Sequence, residues 1–310
     1  MTEDVLKRPS IPSHIRLFFG ACRFHIVLVA LFGTLTFSWW LTGHHLWGVA
    51  LVSAIDWWIL DVLNKIGDLK EDLHNNPEEA QWVQKHGIGL TWTCTIIFAL
   101  SLTWSIAILP ELTWARLLFQ ILGIAYSFNV IYMPKAIRRE GSGAFSRFKV
   151  MYVFKNMSAE WLFLLSVVCY PLLAWHQERI LDTNQILLMC GFFYFLEMSF
   201  EILYDFKDID GDRKEGVRTY PVVHGERIGR MIFDTCLVLS AGFILVGYFW
   251  FGFDSRHIVV CFAPLVQASA FNYYAKNGYP RAGSVWITHL CTVQLLVYNS
   301  YVWLELPWLD

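Results

Sequence analysis

The chain has 310 residues, of which 56% are hydrophobic, 17% aromatic and only 16% charged, with a formal net charge of −2 and a mean hydropathy of +0.43. A soluble domain carries about a quarter charged residues, so the composition excludes an ordinary soluble protein, and near-neutral charge leaves no basic surface for nucleic acid. It describes a polytopic membrane protein.

A spanning helix needs roughly 20 predominantly apolar residues. Nine such stretches follow one another, near residues 24–42, 46–64, 88–109, 112–132, 150–173, 185–204, 231–252, 257–275 and 285–304. The predicted fold is all-α, a bundle of nine transmembrane helices. Residues 1–310 are expected to form a single intramembrane domain, because the spans leave no room for a soluble one. Ahead of the first span, TEDVLKRPSIPSH has neither the basic start nor the cleavage site of a secretory signal and reads as a retained tail.

The first outer loop carries His44 and His45, read as solvated, and Trp39, Trp40, Trp47, Trp303 and Trp308 read as interfacial belt residues. The second span ends in DVLNKIGDLKED (61–72), dense in carboxylates; Asp56, further inside, falls on another face. After the fourth span comes YSFNVIYMPKAIRREGSGAFSRFK, rich in cations, and the fifth opens with FKNMSAEW. There Lys155 sits inside an apolar helix, which is costly unless it is paired; diphosphate binding, a salt bridge to Glu160 and snorkelling are all open to it. The sixth span ends in YDFKDIDGDRKEGVRTYPVVHG (204–225), the second acidic helix end. The seven cysteines lie within spans without C-x2-C spacing and read as packing residues.

With the N-terminus in the cytoplasm, 19 Lys and Arg fall in cytoplasmic segments and 3 (Arg116, Arg179 and Arg256) on the opposite side. This is the positive-inside bias. It places both acidic helix ends on the cytoplasmic side, where the mouth of an active site is expected.

At about 100° per residue, Asp61, Asn64, Asp68 and Asp72 share one face within about 80°, and so do Glu197, Glu201, Asp205, Asp208 and Asp212. Acids at a helix C-terminus oppose the macrodipole, and like charges four residues apart repel. Two such stripes call for a cation. Oxygen ligands without Cys or His suit Mg²⁺, which prefers to share its coordination with substrate phosphates.

N-x3-D-x3-D (Asn64, Asp68, Asp72) and D-x2-D-x3-D (Asp205, Asp208, Asp212), on the second and sixth of nine spans, together resemble the UbiA superfamily of intramembrane prenyltransferases. The resemblance covers nearly the whole chain. It implies that Asn64, Asp68, Asp72, Asp205, Asp208 and Asp212 hold Mg²⁺ around the diphosphate of a prenyl diphosphate whose tail lies in a groove between helices. By the same likeness Asp68, Asp208, Asp212 and Lys155 are catalytic, and Asn64, Lys70, Lys135, Arg138 and Arg139 contact the diphosphate. The sequence departs from the family at Lys65, often an acid there, and at Leu69, which puts one residue between Asp68 and Lys70.

No nucleotide-binding glycine motif is present. The resemblance implies an integral membrane enzyme that transfers a prenyl group to a hydrophobic, commonly aromatic acceptor, with Glu160, Glu197 and Glu201 as the buried candidates for a base. The alternative within the superfamily is a terpene cyclase, a lyase that ionises the same diphosphate and needs no acceptor. A cation transporter fits poorly, because both stripes lie at one membrane face.

Overall fold

The computed structural model describes residues 13–132, 145–277 and 281–305. The N-terminal tail and Lys135, Arg138 and Arg139 lie outside the described residues.

The described chain is almost entirely helical. A short α1 (Ser13–Ala21) precedes α2 (Phe24–Thr42), α3 (Trp47–Gly67), α4 (Leu69–Asn75), α5 (Pro77–Ile108) and α6 (Thr113–Ser127). A two-residue antiparallel pair, β1 (Ile131–Tyr132) and β2 (Phe145–Ser146), then leads to α7 (Tyr152–Phe163), continued through a π-helical turn into α8 (Tyr170–Ala174). There follow α9 (Thr183–Glu215), α10 (Tyr220–His224), α11 (Glu226–Trp250), α12 (Ser255–Ile258), α13 (Phe262–Asn277) and α14 (Arg281–Trp303).

Among the described residues each predicted span coincides with one of these helices or with two joined end to end, so the fold found is the predicted all-α helical bundle. Six of the nine are long and apolar enough to cross a membrane by length and composition. The others are shorter or more polar: α6 has 15 residues, and α3 carries Asp56, Asp61 and Lys65. Exposure agrees with a lipid surround. On α5, Ile88, Trp92 and Leu100 are 81%, 64% and 67% exposed, an arrangement that only an apolar solvent favours. The chain is an integral membrane protein.

The helices close into a ring. α2 packs between α3 and α14; α3 touches α5 and α6; α6 meets α7; and α7, α9, α11, α13 and α14 follow pairwise. A buried core includes the aromatic residues Phe37, Trp40, Phe119, Phe163, Phe192 and Phe193. Trp40 is a core residue and not part of an interfacial belt: it is 1% exposed, and its indole donates to Tyr298 Oη at 2.7 Å. Trp47 and Trp303 do stack at the partly exposed end of the bundle.

Arg116, counted in the sequence among loop charges, is buried inside the bundle. Its guanidinium grips both Asp56 oxygens at 3.0 and 2.8 Å, and Tyr170 and Gln120 also donate to Asp56. A fully buried carboxylate persists only when paired and hydrogen-bonded, and this knot ties α3, α6 and the α7–α8 unit together.

Candidate functional site

The first acidic stripe survives a break in its helix. α3 stops at Gly67 and α4 begins at Leu69, yet the Asp68 N–H still donates to Asn64 O and the Asp72 N–H to Asp68 O. The i to i−4 phase therefore continues across the break, and Asn64, Asp68 and Asp72 stay on one face. Gly67 permits the closeness behind it: a Cβ there would lie 2.5 Å from the Ser127 carbonyl oxygen, and the Ser127 hydroxyl donates to Asn64 Oδ1 at 3.3 Å. The end of α6 thereby braces the end of α3.

The second stripe lies on the unbroken α9, and the two face each other. Asn64, Lys65, Asp68, Glu71 and Asp72 line one polar pocket together with Lys149, Lys155, Glu201, Asp205, Asp208 and Asp212, with Arg23, Tyr126 and Tyr204 completing the wall. Asp61 belongs elsewhere: it is buried and pairs with Arg23 at 3.3 Å. Lys70 is exposed and outside the lining.

Cations hold the carboxylates in place. Lys155 Nζ lies 2.9 Å from Asp205 Oδ1, a partner not among the pairings open to it from sequence, and the salt bridge to Glu160 is not made. Lys65 bridges Asp72 at 3.0 Å and Glu79 at 2.8 Å, and Lys207 lies 3.5 Å from Asp208. Arg147 and Lys149, on the turn after β2, together engage both Asp68 and Glu71, with Arg147 and Lys149 each 2.6 Å from an Asp68 oxygen. Burial pushes the Asp68 carboxyl up, but the Lys149 and Arg147 charges outweigh it and hold the group below its ordinary value.

Arg147, Lys149, Glu71 and Tyr126 were not singled out from the sequence. Arg147 and Lys149 sit in a cation-rich loop where positive-inside decoration is the default reading. Glu71 breaks the four-residue spacing, because the fold of the turn brings it in.

Seven carboxylates line the pocket against four cations. That excess and the all-oxygen donor set, without Cys or His, fit Mg²⁺ held jointly with a phosphate ligand. Among the described residues no three acids or His/Cys lie together in a preformed cage. Each Asp68 oxygen accepts from one cation, Oδ1 from Arg147 and Oδ2 from Lys149, and an ionised carboxylate has about four acceptor sites, so capacity for a metal remains.

An apolar cavity of about 710 Å³ begins one helical turn away. Glu201 lines the polar pocket and Glu197 lines the cavity, four residues apart on α9. Its walls come from α2, α7, α9, α13 and α14 and include Trp40, Phe163, Phe192, Phe193, Tyr298 and Tyr301. A charged headgroup in the first chamber and a hydrocarbon tail in the second would be one amphiphilic ligand.

The family model for the UbiA prenyltransferase family matches residues 21–286. A digeranylgeranylglyceryl phosphate synthase of Natronomonas pharaonis is 32% identical over 96 residues, 29% of this chain and 32% of that protein. The enzyme of the same name from Methanothermobacter thermautotrophicus is 42% identical over 60 residues, 19% of each. These matches span about a third and a fifth of the curated relatives. A UbiA homolog from Archaeoglobus fulgidus, solved bound to GPP and Mg²⁺, superposes with a TM-score of 0.66 at 16% identity, covering 92% of this chain and 99% of that one. At that identity the likeness is one of fold.

Proposed function

Because the chain belongs to the UbiA prenyltransferase family, we propose that it is an intramembrane, Mg²⁺-dependent prenyltransferase that ionises an isoprenoid diphosphate and transfers the prenyl group to a hydrophobic acceptor. The observation that carries this is the junction on α9: a polar, carboxylate-rich pocket meets an aromatic-walled cavity across the single turn from Glu201 to Glu197. The relative solved with GPP and Mg²⁺ supports the same pairing of ligand and metal.

In this reading Asn64, Asp68, Asp72, Asp205, Asp208 and Asp212 hold Mg²⁺, which when bound neutralises the diphosphate and stabilises the charge of the leaving group. Lys155 and Lys149, already in the pocket wall, would offer their ammonium groups to the phosphate oxygens. Lys135, Arg138, Arg139 and Lys70 are, in this reading, further cations for the diphosphate. The aromatic walls exclude water and present ring faces to the allylic cation. The N-terminus and the mouth of the site face the cytoplasm, as the Lys and Arg distribution implies.

Two acceptor classes are in view. The family likeness suggests an aromatic ring, and the two curated relatives, named for digeranylgeranylglyceryl phosphate, suggest the hydroxyl of a prenylated glyceryl phosphate. The aromatic lining of the cavity also suits a second reading, a terpene cyclase acting on the same donor. Product analysis of purified protein with Mg²⁺ and prenyl diphosphates of several lengths, with each acceptor and with none, tests all three. Acceptor-dependent diphosphate release and a prenylated product are expected, whereas rapid conversion of the diphosphate alone to a cyclic terpene would refute the transferase.

A further inference from the structure

The two acidic stripes differ in how far the chain's own cations balance them. On the α3–α4 side the pocket is lined by Asp68, Glu71 and Asp72, and three cations meet them: Arg147 and Lys149 each engage both Asp68 and Glu71, and Lys65 Nζ lies 3.0 Å from Asp72 Oδ2. On α9 the lining acids are Glu201, Asp205, Asp208 and Asp212. Among the described residues, ion pairs reach only Asp205, from Lys155, and Asp208, from Lys207. The first side is balanced, and the second is short of two positive charges, the charge of one divalent ion.

Lys65 makes this difference. It lines the pocket at the position where the family often carries an acid. Its ammonium is also fixed from a second helix: Glu79, in the first turn of α5, lies 2.8 Å away, and the Asn76 amide donates to Glu79 Oε2 at 2.7 Å. An ammonium has three donors, so engagement with Asp72 and Glu79 leaves capacity for a phosphate oxygen. An acid in place of Lys65 would change the charge of this side by two. Four acids would then face Arg147 and Lys149, and the α3–α4 side would need a divalent ion of its own.

We propose that Lys65 takes the place of a divalent ion, so that this chain binds its donor diphosphate with a single Mg²⁺ seated on the α9 stripe at Asp208 and Asp212, and with Lys65 as a fixed cation for the diphosphate on the facing side. This rests on the metal and diphosphate reading of the pocket and narrows it. Asn64 and the remaining acceptor capacity of Asp68 and Asp72 serve that same ion. Mg²⁺ takes about six oxygen ligands and keeps several of its waters, so one ion uses a few of these carboxylates together with phosphate oxygens. A lysine is a compact point charge that suits phosphate, and it stays in place when the diphosphate leaves.

The test counts ions directly. The full chain in nanodiscs of zwitterionic lipid is titrated with Mn²⁺, which shares the octahedral oxygen preference of Mg²⁺, in the presence of inorganic pyrophosphate, and bound Mn²⁺ is read by equilibrium dialysis and electron paramagnetic resonance. The wild type should bind one Mn²⁺ per chain, with the spectrum of an isolated ion, and Lys65→Arg should do the same. Lys65→Asp should bind two, with the dipolar broadening of ions about 4 Å apart. Asp212→Asn should weaken the wild-type ion about tenfold or more. Lys65→Met should lower pyrophosphate affinity about tenfold, the loss of one charge-assisted hydrogen bond. A lysine that only ties α3 to α5 would alter thermal stability in these variants and leave both the count and the pyrophosphate affinity unchanged. Two ions in the wild type, one ion in folded Lys65→Asp, an unweakened ion in Asp212→Asn, or unchanged pyrophosphate affinity in Lys65→Met would each overturn the proposal. A wild type that binds one Mn²⁺ but transfers no prenyl group removes the transferase reading and supports the count; one that binds no Mn²⁺ removes both.

Discussion

Lys149 Nζ lies 2.6 Å from Asp68 Oδ2 across 81 positions of the chain, fastening the turn after β2 onto the break between α3 and α4. Arg147 makes the second half of the same clasp. Burial works against the charge on Lys149, and Asp68 and Glu71 more than restore it, so its affinity for the proton is raised. The signs of the two shifts define a wide plateau. Asp68 contributes stability above its unfolded value of about 3.9 and loses it only as pH falls through its depressed folded value. Lys149 contributes below about 10.4 and loses it only as pH rises through its raised one. Amide exchange of residues 145–151, corrected for its intrinsic pH dependence, should therefore show constant protection between about pH 5 and pH 10, and Lys149→Met should reduce it. Protection that varied across neutral pH would mean the clasp is not held by these charges.

Asp68→Asn and Asp208→Asn should each lower diphosphate release by about a hundredfold or more, since each removes an anionic metal ligand at the point of charge development. EDTA should do the same to the wild type. Glu178→Gln, on the exposed loop between α8 and α9 and outside the pocket lining, serves as the control. Near-normal turnover by either motif variant in folded protein would refute the assignment.

Asp56→Asn is unsuitable as a neutral control, although Asp56 lies off the acidic stripe. The change leaves the Arg116 guanidinium buried without its carboxylate, a loss of about 3–5 kcal/mol for pairs of this kind. A large drop in unfolding temperature is expected, with normal turnover in the fraction that remains folded. An unshifted melting curve would show that the knot between α3, α6 and the α7–α8 unit contributes little.

Gly67→Ala tests the brace between α3 and α6. The new Cβ would meet the Ser127 carbonyl, which is backbone and cannot rotate away, so the end of α3 must shift. Asn64 and Asp68 move with it. Prenyl diphosphate affinity should fall about tenfold or more, by analogy with the cost of an ångström of misplacement at a reacting centre; unchanged affinity would mean that the helix end tolerates displacement.

Orientation can be read by labelling. Single cysteines at Gln81 and Asp210, both exposed, should react with a membrane-impermeant reagent from the same side, and one at Glu178 from the other. Gln81 and Asp210 on opposite sides would end the two-stripe model of the site.

The sequence by itself determined the class of molecule, the positions of the nine spans and the two carboxylate motifs. Apolar runs of membrane length and four-residue spacings are local properties, and helical geometry turns them into structure without help from distant residues. It could also place Asn64, Asp68 and Asp72 on one face, because the hydrogen-bond phase runs on through the break at Gly67. Which cation meets which carboxylate was decided only by tertiary structure. The sequence offered Lys155 a pairing with Glu160, five residues on, but the packing of α7 on α9 gave it Asp205 and left Glu160 without a partner. Charge counting gave Arg116 a side of the membrane but no partner, and the ring closure of the bundle put it opposite Asp56. Charges pair across helices according to which faces are brought together, and that contact information is spread over residues tens to hundreds of positions apart, where no local period records it.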